Sequence, residues 1–269
     1  MVSRTMHGIF YDPVHDEIVV PVALGGAVLT LPGGATGSDP PLRVIQGPRT
    51  GLVQPDTISV DLVHDEIIAD SGDNAVLVFP RTANGDVAPT RRIGGPNTHI
   101  NNIFGLAVDS SRNLIIVANR VESGGRESND GILIFNRTDN GNVAPKAVIA
   151  GPRTGIIKIR QIVADEARGQ IFVTVKNNFE YYNPDHLRPS PWNPDQTGFI
   201  GVWNITDNGD VPPHGVIKGP ASGLVWPAGV AINPQNHEVY TIDSVSNALF
   251  MFSMPEFFGR RLTSLSAGR

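Results

Sequence analysis

Three side chains that could hold an anion or transfer a proton occupy the same position in different copies of an internal repeat: His7, Asp56 and Arg160. A histidine can act as a general acid or base, an arginine can hold an anion, and an aspartate can orient either of them. The same position holds Phe104 and Ala228 in the other two copies. We predict that His7, Asp56 and Arg160 form a catalytic site where the copies converge. The alternative is an ion pair that only fills the centre of the fold.

The wall of such a site is predicted from residues near this position and from one long aromatic segment. The segment 176–198 carries tyrosine, histidine and tryptophan side chains, and its four prolines exclude a helix. Its rings could form a folded lid that stacks on an organic ligand, or they could pack against the rim of the protein. The predicted ligand contacts are His99, Asn102, Phe104, Tyr181, Tyr182, His186, Trp192 and Trp226.

A divalent cation such as Ca²⁺ is a further prediction for this region. Asp70, Asn119 and Asp243 each lie at the end of the second apolar segment of a repeat, and carboxylate and amide oxygens suit hard cations. However, Asp70 and Asp243 both begin the phrase Asp-Ser-x-x-Asn, and such side chains readily accept hydrogen bonds from their own turn. We favour the turn role and keep the metal site as the alternative.

Several kinds of chemistry are excluded by residues that the sequence lacks. The 269 residues include no cysteine, which excludes disulfides, thiolate metal sites and a cysteine nucleophile. There is no Gly-x-Ser-x-Gly sequence to mark a serine nucleophile, and no glycine-rich loop of the kind that binds phosphates. The sequence therefore predicts no recognised nucleophile of these classes.

Charge and hydropathy exclude two kinds of partner. The net charge is −5 and no run of Lys or Arg is longer than two residues, which argues against nucleic acid. No apolar stretch approaches the roughly 18 residues that a membrane span needs. The first residues lack the apolar core of a signal peptide, although a chain from which a leader had been removed would look the same. We expect a soluble protein, and its compartment stays open, secreted or periplasmic if a leader was removed.

Two recurring phrases define the repeat. A Gly-Pro phrase contains Pro48, Pro96, Pro152 and Pro220, and an Asn-Gly phrase, a strong turn signal, precedes the last three of these. Four short apolar segments per repeat of about 50 residues are typical of a propeller blade. We predict a single all-β domain, a β-propeller of five four-stranded blades at approximately 7–54, 55–102, 103–158, 159–226 and 227–269. The last blade could take its fourth strand from 260–265, or it could pair with 2–5.

The segments 105–135 and 229–252, which begin GLAVD and GVAIN, resemble NHL-repeat propellers and, more distantly, the gluconolactonase/regucalcin-like superfamily. The resemblance covers nearly the whole chain. Such propellers often have six blades, so a six-bladed ring is the alternative. The more distant superfamily implies a divalent ion held in the central tunnel. It also implies hydrolysis of esters or lactones, or a lyase reaction.

Function is predicted on one face of the propeller. The loops that join the second and third strands lengthen in blade three (119–130) and blade four (176–198), and long insertions on one face usually mark a binding face. We predict an enzyme or binder that acts on a small organic molecule at the tunnel mouth on this face, with lactone or ester hydrolysis or a lyase reaction as its chemistry. A small ligand is favoured over a protein partner because polar residues converge on the axis. The alternative is a non-catalytic, NHL-type scaffold for protein interactions.

Overall fold

The computed structural model describes residues 8–121, 130–176 and 197–259 of the chain. Five antiparallel sheets follow one another along the sequence, and each is built from consecutive strands that pair in chain order. This arrangement confirms the predicted five-bladed β-propeller. No helix in these three ranges is long and apolar enough to cross a membrane.

Blades one to four have four strands each, and blade five has three strands within the described ranges. Strands β1–β4 are Phe10–Asp12, Glu17–Val22, Ala27–Pro32 and Arg43–Gln46, and β5–β8 are Ile58–Asp61, Glu66–Ser71, Ala75–Pro80 and Arg91–Gly94. Strands β9–β12 are Asn102–Asp109, Leu114–Arg120, Gly131–Asn136 and Ala147–Ala150. Strands β13–β16 are Ile159–Asp165, Gln170–Val175, Phe199–Asn204 and Gly215–Ile217. Strands β17–β19 are Pro227–Asn233, Glu238–Asp243 and Ala248–Ser253, and a short helix α1 follows at Pro255–Phe258.

The Gly-Pro phrases form short 3₁₀ turns that carry the chain from one blade to the next. A proline suits the first position of such a turn because its φ is already helical and its missing N–H is not needed there. In the first of them the Thr50 hydroxyl donates to the carbonyl of Gly47 at 2.7 Å, and Gly51 ends the turn in the left-handed region at φ 69°. The same hydroxyl bond is made by Thr98, Thr154 and Ser222. The phrase recurs because each linker needs this local geometry.

The Asn-Gly phrases do more than turn the chain. The side-chain oxygen of Asn84 accepts a hydrogen bond from the backbone N–H of Val44 at 2.9 Å, and Gly85 forms a parallel bridge with Ile45. Both partners lie in the last strand of the preceding blade. Equivalent side-chain bonds are made by Asn140 and Asn208. A phrase predicted only as a turn is therefore also a clamp that joins neighbouring blades.

Apolar side chains fill the spaces between adjacent blades, and burial of this surface is the main force that holds the blades together. Four core clusters join blades one and two, two and three, three and four, and four and five. The largest fully buried side chains include Trp203, Phe79, Phe135 and Phe172. In helix α1, Phe257 and Phe258 pack against Phe172, with ring centroids 6.1 and 5.6 Å apart.

The junction between blades five and one differs from the others. The first strands of the other consecutive blades pack on one another, whereas β17 and β1 lack comparable packing in the described ranges. Apolar side chains stay exposed on the faces of these two blades that point away from their packed neighbours, namely Ile9 (70%), Tyr11 (54%), Leu249 (70%) and Met251 (54%). The segments 2–5 and 260–265, predicted to complete the last blade, lie outside the described residues.

Candidate functional site

Asp56, Phe104, Arg160 and Ala228 occupy equivalent positions in four consecutive blades. In each of these blades, the residue two positions later in the chain pairs with the fourth residue of the blade's second strand. Because the first strands of these blades pack side by side, the four residues line one mouth of the central tunnel. Asp56 is 4% exposed, and Phe104 and Arg160 are half-buried. The equivalence predicted from the repeat therefore agrees with the strand registers.

Two further basic side chains stand at equivalent positions of blades three and four. Arg120 ends β10 and pairs with Asn102 of β9. Lys176 directly follows β14, and its backbone N–H donates to the carbonyl of Lys158 at 2.9 Å. Both residues are half-buried. They therefore extend the second strands of their blades toward the same mouth.

Aromatic rings hold these cations in place. The guanidinium carbons of Arg120 and Arg160 lie 4.9 and 5.0 Å from the centroid of the Phe104 ring. The Lys176 Nζ lies 3.4 Å from the centroid of the Trp226 ring. A cation over an aromatic face contributes about 0.5–2 kcal/mol, more when water is excluded. We call this group of Phe104, Arg120, Arg160, Lys176 and Trp226 the mouth cluster.

The charges of the mouth cluster perturb one another. Burial and the neighbouring charge of Arg120 lower the pKa of Arg160 to about 10, and the carboxylate of Asp56 opposes this shift. Burial, with the charges of Arg160, Arg120 and Lys158, lowers the pKa of Lys176 to about 7. Perturbed groups of this kind are frequent at functional sites. The mouth thus combines two fixed cations with an amine that is half neutral near pH 7.

These cations differ from the other buried and half-buried arginines in the described part of the propeller. Arg81 pairs with Glu17 at 2.9 Å, and Arg91 and Arg137 pair with Glu66 at 2.7 and 2.8 Å. By contrast, within the described ranges Arg120, Arg160 and Lys176 form no ion pair with a carboxylate. Asp56 and Arg160 form no direct ion pair, although the two charges do influence each other. The predicted alternative of an ion pair that fills the centre also includes His7, which lies outside the described residues.

A buried carboxylate beside the mouth joins blades three and four. Asp130 is 1% exposed, and its two oxygens accept hydrogen bonds from the backbone N–H groups of Val121 (2.8 Å) and Ile159 (3.1 Å). Burial raises the pKa of Asp130 to about 6, although both hydrogen bonds and the charges of Arg120 and Lys158 favour its ionised form.

This shift makes stability depend on pH with a defined sign. A carboxyl group whose pKa is higher in the folded chain stabilises the fold at low pH, and this contribution is lost as pH rises through the folded value. The free energy of unfolding of the wild type, relative to Asp130→Asn, is expected to fall by up to about 3 kcal/mol between pH 4 and 7. Urea titrations of both proteins across this range measure the difference. A constant difference, or one that grows with pH, would contradict the assignment.

Each of the three predicted metal ligands bonds to backbone groups of the segment that leads into the first strand of its sheet. Asp70 accepts from the N–H groups of Asp56 and Thr57 at 2.6 and 2.8 Å. Asn119 accepts from the N–H of Asn101 at 2.8 Å and donates to the carbonyl of His99 at 3.1 Å. Both side chains have a structural role, but the groups that they bond belong to the segment before the first strand and not to the turn that follows the second strand.

Asp243 bonds both to the segment before the first strand and to its own turn, the role that the sequence favoured. One oxygen accepts from the N–H groups of Val225 and Trp226, and the other accepts from those of Val245 and Ser246. In the described parts of the chain no group of three or more His, Asp and Glu residues could hold a metal ion. The Ca²⁺ site stays a prediction, and these side chains have a structural role without it.

One assumption about these residues is wrong. Asp70 and Asp243 begin the same phrase, which suggests equivalent positions. However, Asp70 pairs with Val76, the second residue of β7, whereas Asp243 pairs with Ala248, the first residue of β19. The two turns differ by one residue in length, so the shared letters lie one step apart in the ladder.

The other predicted site residues lie in different places. His99 is exposed and adopts φ 57°, where it ends a linker turn that other repeats end with glycine. Asn102 is half-buried as the strand partner of Arg120, and Trp226 belongs to the mouth cluster. Five predicted residues lie outside the described ranges: His7, Tyr181, Tyr182, His186 and Trp192.

No protein-family model matches the chain, and no curated protein matches it at a significant level. The resemblance to NHL-repeat propellers therefore rests on the repeat sequences alone and stays a prediction. What can be said of chemistry comes from the mouth cluster itself.

Sequence reasoning missed Arg120 and Lys176. Both fall within the predicted loop insertions 119–130 and 176–198, although the equivalent position at the end of each second strand can be compared across blades. That comparison gives Ala23, Gly72, Arg120, Lys176 and Ser244. Basic residues occur there in the two blades with long insertions, which is a signal that the sequence contained.

Proposed function

We propose that the chain binds a small organic anion at the tunnel mouth and acts on it. The observation that carries this proposal is the positive charge of the mouth cluster, where the half-buried Arg120, Arg160 and Lys176 have no ion-pair partner among the described residues. Partly desolvated cations are unfavourable unless an opposite charge compensates them. A bound carboxylate or phosphate group would supply that charge.

The aromatic rings indicate a second property of the ligand, an apolar or planar part. Phe104 and Trp226 each stand beside a cation, so the anion's apolar or planar part would meet a ring while its charge meets an arginine. Small-molecule sites commonly combine an apolar wall with a few convergent polar groups. We therefore favour an anion that carries a planar or apolar group over a bare inorganic ion.

Lactone or ester hydrolysis, or a lyase reaction, is the chemistry we propose for this ligand. Each of these reactions needs a general base that is partly unprotonated at the working pH. Lys176 meets that requirement because its pKa is lowered to about 7. It could share or take over the role first predicted for His7.

A protein-interaction scaffold is the second candidate. It is favoured by the exposed apolar side chains on the faces of blades one and five that point away from their packed neighbours, such as Ile9 and Leu249. Contiguous exposed apolar surface often marks a binding face for another protein. The anion proposal is preferred because the mouth cluster combines charge, aromatic rings and burial at equivalent positions of neighbouring blades.

Calorimetric titration with matched probes tests the anion proposal. Benzoate and phenyl phosphate are expected to bind at least roughly tenfold more tightly than benzamide or benzylammonium, because only the anions compensate the mouth cluster. Arg120→Gln should weaken benzoate binding. Arg92→Gln, which removes an exposed rim arginine paired with Asp73, should leave it unchanged. Equal binding of benzoate and benzamide, or equal effects of the two variants, would show the proposal to be wrong.

A further inference from the structure

Lys176 is the member of the mouth cluster with the chemistry of a nucleophile. Its Nζ lies against the Trp226 ring, and the surrounding charges are mostly positive: Arg120, Arg160 and Lys158. A lysine in a partly desolvated site beside other cations loses its proton easily, and a neutral amine attacks carbonyl carbon. Arginines near such an amine can hold an anionic group of the same substrate.

We propose that Lys176 forms an imine with the carbonyl group of a 2-oxo carboxylate whose carboxylate is held by Arg120 and Arg160. This inference rests on the proposed function and narrows its substrate class. It unites the two properties of the cluster, since the ligand needs both a negative charge for the arginines and an electrophilic carbon for the amine. An anion without a carbonyl would use only the first.

The step is balanced without any further reagent. The lone pair of the neutral Lys176 amine forms a C–N bond with the carbonyl carbon, and the C=O π electrons move to oxygen, which takes a proton. The resulting carbinolamine loses this oxygen as water, with the second amine proton, and a C=N bond forms. Once it is protonated, the imine withdraws electrons from the neighbouring carbon, which makes a bond to that carbon easier to break.

The charged groups around Lys176 set its pH dependence. Lys158 approaches from the linker before β13, Arg160 from β13 itself and Arg120 from β10. The carboxylates of Asp56 and Asp130 stand beside Arg160 and Arg120 respectively, where they offset part of this positive charge. Imine formation is therefore expected to increase as pH rises through about 7, the pKa to which burial and these cations bring Lys176.

Reductive trapping tests the inference directly. The full chain is incubated with pyruvate or glyoxylate and cyanoborohydride, and the modified residue is mapped by mass spectrometry of peptides. A trapped adduct adds the mass of the oxo acid less one oxygen atom. The sequence has only four lysines, Lys146, Lys158, Lys176 and Lys218, so the site is assigned without ambiguity. We expect Lys176 to be modified at least roughly tenfold faster than the others at pH 7.

Lys218 provides the matched control. Its Nζ also lies over an aromatic ring, 5.9 Å from the centroid of Phe199, but the residue is exposed on the rim. Lys218→Met should leave trapping unchanged, whereas Lys176→Met should abolish the fast phase. Acetone, a carbonyl compound without a carboxylate, should modify Lys176 more slowly than pyruvate does, because the arginines hold only pyruvate. Mapping in the wild type gives the answer even if the Lys176 variant folds poorly.

Failure of this inference can be told apart from failure of the proposed function. If the four lysines react at similar rates while benzoate still binds at the mouth, the imine is wrong and the anion site stands. If neither trapping at Lys176 nor anion binding is seen, both are wrong. Trapping at Lys176 by acetone as fast as by pyruvate would also overturn the inference, because the arginines would then play no part.

Discussion

Replacing Arg160 with glutamine is expected to weaken benzoate binding by roughly 10- to 100-fold, the effect of losing a hydrogen bond to a charged group in a desolvated site. Arg160 is half-buried at the mouth and lies 5.0 Å from the centre of the Phe104 ring. It is therefore positioned with little freedom left to lose when an anion binds. Titration calorimetry of the wild type and the variant measures the change.

The variant Asp56→Asn is expected to change benzoate affinity in the opposite direction, and it serves as the control. The carboxylate of Asp56 opposes the lowering of the Arg160 pKa, so it reduces the positive potential at the mouth. Asp56→Asn should bind benzoate more tightly than the wild type. A loss of affinity in both variants would indicate general damage to the mouth rather than loss of a specific charge. An unchanged affinity in Arg160→Gln would exclude Arg160 as the anion's partner.

The Trp203→Ala variant is expected to lose about 3–5 kcal/mol of unfolding free energy, the range found when large buried aromatic side chains are truncated. Trp203 is fully buried between blades three and four, and its indole N–H donates to the carbonyl of Val211 at 3.2 Å. A Cβ added at Gly201 would lie 2.5 Å from the Trp203 ring, so a glycine makes room for this ring.

Chemical denaturation of Trp203→Ala and a rim variant checks this expectation. Val216→Ala changes a side chain of the same blade that is 43% exposed, and its effect should stay within about 0.5 kcal/mol. Trp203→Phe should lie between the two. Similar losses for Trp203→Ala and Val216→Ala would show that the centre of blade four is not packed as described.

Reading equivalent positions across repeats identified Phe104 and Arg160, two of the five residues of the mouth cluster, together with Asp56 beside it. Asp56, Phe104 and Arg160 differ in chemistry at a position where the scaffold imposes no residue type, and their divergence was visible in the sequence. Trp226 was also predicted. Arg120 and Lys176 were not predicted as site residues because they border insertions, where the sequence alone does not show which residue still belongs to the strand.

The same limit applies to the turn residues. The letters Asp-Ser-x-x-Asn match in two blades, but the ladders place Asp70 and Asp243 at different rungs. Register follows from hydrogen bonds between strands and from turn length, and a difference of one residue shifts a side chain to another position. Sequence similarity in a turn is therefore weaker evidence for equivalence than the pairing of the strands beside it.

The sequence by itself determined the repeat, the four-stranded blade and the linker turns, because these depend on local properties: alternating apolar residues, a proline with fixed φ and glycines that accept positive φ. Only the tertiary structure decided which side chains meet at the tunnel mouth. Arg120, Arg160 and Lys176 come from two blades. The charge of Arg120 lowers the pKa of Arg160 through space, and both arginines lower the pKa of Lys176. Such coupling depends on distance and burial, which no local pattern encodes.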